Sequence, residues 1–231
     1  ESFEAFDAVG APSTWVLNNH DVLRHVSRFG GDYGRTTASD GVGPNNPQPD
    51  NVLGLQKARG ATLFMLGLPG ASYLFQGEEL GLPDHTTIAD EHRQDPTFFR
   101  TSGQRVGRDG CRVPLPWEMG NASNGFNQTG KAWLPQPDGY AALSRDQQGK
   151  EGSTLSLYQQ SLKLRKQFKL GEGSFDWVSK TDVLSYQNGR VQIVHNFSSE
   201  PIKLAGEVVI SSMPLSKDGS LLPNDTAWVL V

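Results

Sequence analysis

Cysteine is almost absent: Cys111 is the only one in 231 residues. That excludes a disulfide within the chain and argues against a thiol-based metal site. No uninterrupted apolar run approaches the roughly 20 residues a membrane span needs. Basic residues are not in excess either. Lys and Arg number 21 against 25 Asp and Glu, a net charge of −4, and they are spread rather than blocked. Neither nucleic acid nor an anionic membrane is therefore indicated as a partner. No GxGxxG follows a strand, and the glycine-rich "GEGSFD" and "GDYGRTTASDGVG" lack phosphate-binding spacing. "DHTTIADEHRQDP" collects His85, Asp90, Glu91, His92 and Asp95 but lacks the i, i+4 histidine pair of a helical zinc site. Its carboxylates and imidazoles read as solvated or salt-bridged, so no metal is expected. Glu1 opens the chain without Met, basic n-region or apolar h-region, so no signal peptide is expected. Phe3, Phe6 and Val9 fall at helical spacing with no cap before them. The chain is therefore expected to be a piece of something longer.

What is present is an alternation. Thr14 to Leu17 reads as a short buried strand and ends abruptly in Asn18, Asn19, His20 and Asp21, followed by Arg24 and Arg28. A surface loop, Gly41 to Asn51, leads into a helix with Leu55, Ala58, Leu63 and Leu66 on one face, stopped by Gly67 and Pro69. A second apolar strand, Ser72 to Phe75, again runs into polar Gln76, Glu78 and Glu79. Strand, polar loop, helix, strand, polar loop is the order of a parallel α/β fold. The irregular stretch from Leu82 to Lys150 is too long for a plain connection and must be functional or carry small elements of its own. A helix over Thr154 to Phe168 closes it, with Leu155, Tyr158, Leu162 and Leu164 inward and its basic residues on the far face and last turn. From Gly173 the pattern alternates with period two, as in a small antiparallel β domain.

In parallel α/β barrels the active site lies at the C-terminal ends of the strands. A carboxylate there, such as Asp21, can face positive charge developing on a substrate; capping of a turn by His20 and Asp21 explains the pair as well. Phe98, Phe99 and Trp117 suit stacking on a sugar face or plain packing, whereas Trp15, Phe75 and Trp177 read as core. Cys111 has no base nearby to activate it.

Three segments carry a resemblance. "WVLNNHDVLRHVSRFGG" resembles the fourth signature region of the α-amylase superfamily, glycoside hydrolase family thirteen. "LPGASYLFQGEELGLP" is similar to that family's final barrel strand. "RQDPTFFRTSGQRVGRDGCRVPLPW" resembles the long loop of its α-glucosidase and oligo-1,6-glucosidase branch. The resemblance implies the C-terminal part of a (β/α)8 TIM barrel, its last two βα units over residues 1–170, followed by a small antiparallel β-sandwich domain over 171–231. It implies a cytoplasmic enzyme that hydrolyses terminal α-linked glucose from small oligosaccharides with retention, without a cofactor. Asp21 would be the carboxylate that stabilises the oxocarbenium-like transition state. His20 and Arg108 would bind the glucosyl unit, while Arg24, Arg28, Glu78 and Glu79 would be structural. The nucleophile and acid/base, which follow barrel strands four and five in the family, would lie before Glu1. The chain alone is then expected to be inactive until the N-terminal part of the barrel completes it. Glucosyl transfer, as in sucrose isomerase or trehalose synthase, and a non-catalytic transporter-associated relative are the alternatives.

Overall fold

The computed structural model describes residues 2–33 and 40–231, so "GDYGRTTASDGVG" falls partly outside it. The chain forms two compact units: residues 1–17, 59–73 and 157–231, and residues 18–58 and 74–156. Helix α1 (Ser2–Asp7) precedes strand β1 (Thr14–Val16), helix α2 (His25–Phe29), helix α3 (Asn51–Leu66) and strand β2 (Ala71–Tyr73). After helix α4 (Pro96–Arg100) and helix α5 (Thr154–Gln167) come strands β3 (Asp176–Lys180), β4 (Val183–Asn188), β5 (Val191–Asn196), β6 (Glu207–Ser211) and β7 (Thr226–Leu230).

In the first unit β1 and β2 pair in parallel, Thr14 opposite Ala71 and Val16 opposite Tyr73. The expected burial of β1 does not hold: Val16 is 49% exposed and Tyr73 63%. A parallel sheet is normally covered on both faces, and among the described residues only these two strands form this one.

The antiparallel part is one five-stranded sheet in the order β3-β4-β5-β7-β6. The second sheet of the expected sandwich is reduced, among the described residues, to a single bridge between Ile202 and Leu221. Alternation explains why one sheet suffices. Tyr186, Ile193, Ile210 and Trp228 lie in register on one face and pack with Leu63, Leu66 and Leu157 of the helices. Val194, Ala227 and Val229 on the other face are covered by Ile202, Leu204 and Leu215. Two hydrogen bonds pin the sheet to α3: Trp228 Nε1 donates to Leu63 O at 2.9 Å and Tyr186 Oη to Phe64 O at 2.6 Å. Glycine is required at position 67, where a Cβ would stand 2.4 Å from Ile193 Cγ1 and 2.6 Å from Tyr186 Oη.

Helix α3 is capped by Asp50, whose Oδ1 accepts from the Val52 and Leu53 amides. Beyond its first turn it is buried on several sides, not on one face as its spacing suggested. In α5 Leu157, Tyr158 and Ser161 are buried and Arg165 is half-buried one turn on, while Leu162 is 43% exposed. Arg165 turns inward because its guanidinium takes the carbonyls of Leu66, Leu68 and Gly70, which the end of α3 leaves without helical partners. Trp177, expected in the core, is 45% exposed on β3. Its ring meets Phe175 edge-on at 4.9 Å and carries Lys180 Nζ at 5.1 Å.

In the second unit the long segment after β2 packs around Leu80, Leu82, Ile88, Val113, Leu134 and Tyr140. Besides α4 it forms short 3-10 turns, among them Asp90–His92 and Asp109–Arg112. Tyr140 Oη donates to Pro83 O at 2.6 Å and closes the segment on its own start. Among the described residues no helix is long and apolar enough to cross a membrane.

Burial shifts several titrations that bear on acid stability. His25 is pushed down to about 3, by desolvation first and then by Arg28 and Arg24. His195 falls to about 4 through burial. Asp84 rises to about 6 because desolvation outweighs the Arg24 amide and the charges of Arg24 and Arg28. Below pH 6.5 the unfolded histidines take protons that the folded ones refuse, so their contribution is lost as pH falls toward 4. Asp84 acts oppositely, taking its proton in the folded state first, and its contribution is lost as pH rises through about 6. His85 is also lowered, by desolvation first and then by Arg93, so three histidines against one carboxyl leave a net destabilisation on acidification between pH 6 and 4. Urea midpoints at pH 7 and pH 5 test this. The midpoint should drop at pH 5, and His195→Gln should flatten the drop. A midpoint independent of pH would contradict it.

Candidate active site

The site is built within the second unit, from the segment after β1 and the loop from Arg93 to Trp117. Asp21 lies five residues past Val16, the end of β1. Its own amide donates to Asn19 Oδ1 at 2.8 Å, so Asn19 holds the turn and the Asp21 carboxylate points elsewhere. Arg108 Nη1 donates to Asp21 Oδ1 at 2.6 Å and Arg112 Nη2 donates to the same oxygen at 3.0 Å. His20 Nε2 stands 3.4 Å from Asp21 Oδ2. The side chains of His20 and Asp21 remain 68% and 50% exposed. The three residues singled out in the sequence, His20, Asp21 and Arg108, thus lie together on one open face.

What fixes Arg108 is Asp95. Its carboxylate is fully buried and accepts from Arg108 Nε at 2.7 Å and from the Arg108 amide at 2.9 Å. Burial alone would raise this carboxyl. The Arg108 side chain and the Thr97 and Arg108 amides outweigh it and hold the group well below the usual carboxylate range. Asp95 also starts α4, its Oδ1 taking the Thr97 amide ahead of Pro96. Hydrogen bonding to Asp95, opposed by partial desolvation and aided by the charge of Asp21, raises the pKa of Arg108 further.

The motif "RDGCR" places three side chains, Arg108, Asp109 and Arg112, on this task. Asp109, buried, accepts the Gln94 and Asp95 amides on Oδ2 at 2.8 and 3.0 Å. Arg112 reaches Asp21 and donates from Nε to His20 O at 2.8 Å. Cys111 is buried, and desolvation pushes its thiol up to about 12, so it is inert as a nucleophile. Sequence reasoning passed over Arg112, although its spacing of four from Arg108 across a 3-10 turn was a usable signal. It placed Asp95 in a metal-like cluster and foresaw a salt bridge without its partner. Among the described residues no group of three His, Cys, Asp or Glu is arranged to hold a metal.

Arg24 is structural. It is buried and donates from Nη1 to Gln76 O and from Nη2 to Cys111 O, both at 2.8 Å, while its amide donates to Asp84 Oδ1. Its guanidinium is thus tied to two carbonyls. Gly77 admits this: a Cβ there would lie 2.8 Å from Arg24 Nη1. Arg28 is desolvated and faces the charges of Glu78 and Asp84. Glu78 is buried and accepts the Phe75 amide; Glu79 accepts that of Gly77. Phe98 and Phe99 meet edge-on at 5.5 Å, and Phe99 is 62% exposed.

An ionised carboxylate between two guanidiniums and an imidazole, open on one side, offers donors and an anion to a polyhydroxyl ligand. The catalytic domain of α-amylase matches residues 3–173 of the chain. The chain belongs to the α-amylase family. It is 31% identical over 240 residues to the salivary α-glucosidase of Aedes aegypti, covering 95% of this chain and 37% of that protein. It is also 31% identical to the probable oligo-1,6-glucosidase 2 of Bacillus subtilis, over 79% of this chain and 33% of that one. Among solved structures, the α-glucosyl transfer enzyme XgtA superposes with a TM-score of 0.71 at 28% identity, covering 99% of this chain and 42% of that one. The trehalulose synthase MutB reaches a TM-score of 0.73 at 24% identity, a likeness of fold. The chain spans roughly a third of the curated α-amylase-family relatives it matches.

Replacing Asp95 by Asn leaves the Arg108 guanidinium facing a neutral, buried group. Stability should fall by on the order of 3 kcal/mol. Urea unfolding measures it. A loss no larger than that of Asp218→Asn, whose pair with Lys203 lies in solvent, would contradict this role for Asp95.

Proposed function

We propose that the complete protein removes terminal, non-reducing α-linked glucose from small oligosaccharides by retaining double displacement. In this reading residues 1–170 are the last two βα units of the (β/α)8 barrel and residues 171–231 its all-β C-terminal domain. Two facts support that division: the family match ends at 173, and the antiparallel sheet begins at Asp176. Asp21 remains ionised and stabilises the positive charge on the sugar ring. His20 and Arg108 take its hydroxyls, and Arg112 helps to aim Asp21. The nucleophile and acid/base stand about 5 Å apart in such enzymes; they belong to barrel strands outside this chain, which is inactive until those strands complete the site. No cofactor enters the chemistry, and neither nucleic acid nor a membrane is a partner. In this reading the complete protein is cytoplasmic.

The observation that carries the reading is the convergence of Arg108 and Arg112 on Asp21 in a chain whose relatives are named α-glucosidases. Transfer of the glucosyl unit to another sugar is a second reading, favoured by the likeness to XgtA. Both need Asp21.

The test is hydrolysis of p-nitrophenyl α-glucoside by the complete protein and its Asp21→Asn variant. One charge opposite another at about 4 Å is worth about 4 kcal/mol at an effective dielectric near 20, so kcat should fall by about a thousandfold. KM should change far less, because the loss is confined to the transition state. Near-normal kcat in the variant would remove Asp21 from the mechanism. An inactive wild-type protein would remove the hydrolase reading.

A further inference from the structure

A groove of about 750 Å³ opens in the second unit, and its walls contain none of His20, Asp21 or Arg108. Its lining includes Trp133, Asn121, Asn124, Gln136, Lys131 and Asp138. Trp133 presents 52% of its surface to solvent beside these amides. Its backbone is not loose. Trp133 O accepts Gln94 Nε2 at 2.6 Å, and the next residue, Leu134, is fully buried in the unit's core. The backbone at Trp133 is therefore held in place while about half of its indole stays open to solvent.

The polar wall is equally fixed. Asn124 Nδ2 donates to Gln136 Oε1 at 3.1 Å, and Gln136 Nε2 to Pro114 O at 3.1 Å. Ser123 and Asn124 are consecutive non-glycine residues in the left-handed region, with φ of 46° and 47°. Each such residue costs about 1–2 kcal/mol, and strain of this kind concentrates at binding sites. It is held by Asn124 O, which accepts the Trp117 and Glu118 amides at 2.7 and 2.9 Å. The two nearby charges, Lys131 and Asp138, are of opposite sign, so the groove has no preference for an ion.

We propose that this groove binds a neutral oligosaccharide, one pyranose stacked by its C–H face on Trp133 and its hydroxyls shared among Asn121, Asn124 and Gln136. A hexopyranose offers that combination, an apolar face with a rim of paired donors and acceptors, and a bare indole ringed by amides is its complement. The site goes beyond the hydrolytic reading and does not depend on Asp21.

Titration of the chain with maltotetraose, followed by tryptophan fluorescence and calorimetry, tests it. Saturable binding is expected, weakened by about tenfold or lost in Trp133→Ala and largely kept in Trp133→Phe. Asp21→Asn should leave it unchanged. Asn124→Gly is a second variant that removes one amide while relieving the strained φ. It should bind several-fold more weakly while unfolding at higher urea, a combination that damage to the fold does not produce. Absence of saturable binding, equal binding by Trp133→Ala, or loss of binding in Asp21→Asn would each overturn the proposal. Hydrolysis is not read in this experiment, so failure of the groove and failure of the hydrolase reading stay distinguishable.

Discussion

The buried carboxylate of Asp95 against the guanidinium of Arg108 is the contact on which the site depends. A carboxylate removed from water is costly unless its lone pairs are filled, and here a guanidinium and two backbone amides fill them. Because Asp95 is rigid, Arg108 has one arm fixed and one arm free. The free arm meets Asp21. An exposed aspartate in an irregular segment would otherwise sample several rotamers, and binding it from below by two arginines gives it a direction without burying it.

The same economy of backbone runs through the second unit. Its loops contain few apolar residues for their length, and polar side chains supply the order that a helix or sheet would give. Asp109 collects two amides, Arg24 collects two carbonyls, and Tyr140 closes the segment on Pro83. Buried groups of this kind are worth little individually but costly to leave unpaired, so the network favours one arrangement over near alternatives. The groove at Trp133 is tied to this network by Gln94, which neighbours Asp95 in the chain and donates to Trp133 O.

How much of this was readable in the sequence follows from how local each signal is. The strand-to-polar-loop transitions at Leu17 and Phe75 and the alternation after Gly173 depend on neighbouring residues, and the strand positions follow them closely. Within that stretch Asp176–Lys180 alternates least, and its tryptophan is half exposed. Arg165 looked like one of several solvated cations in the last turn of α5, since nothing local shows the three carbonyls it meets. Leu162 looked buried because apolar spacing in that helix fits more than one face. At the site, His20, Asp21 and Arg108 stood out by resemblance to family motifs. Arg112 and Asp95 did not, because each acts through a partner between about 13 and 91 positions away in the chain. The exposure of β1 is a tertiary fact: an apolar run reads the same whether or not a neighbouring strand covers it.

The central claim is that Asp95 and Asp21 are linked through one side chain, Arg108. A double-mutant cycle on stability, with Asp95→Asn and Asp21→Asn singly and together, measures that link directly. The account predicts a coupling of about 0.5–3 kcal/mol, as for residues sharing one hydrogen-bonded network. Strict additivity of the two losses would show that Arg108 transmits nothing between them, and the site would then have no buried foundation.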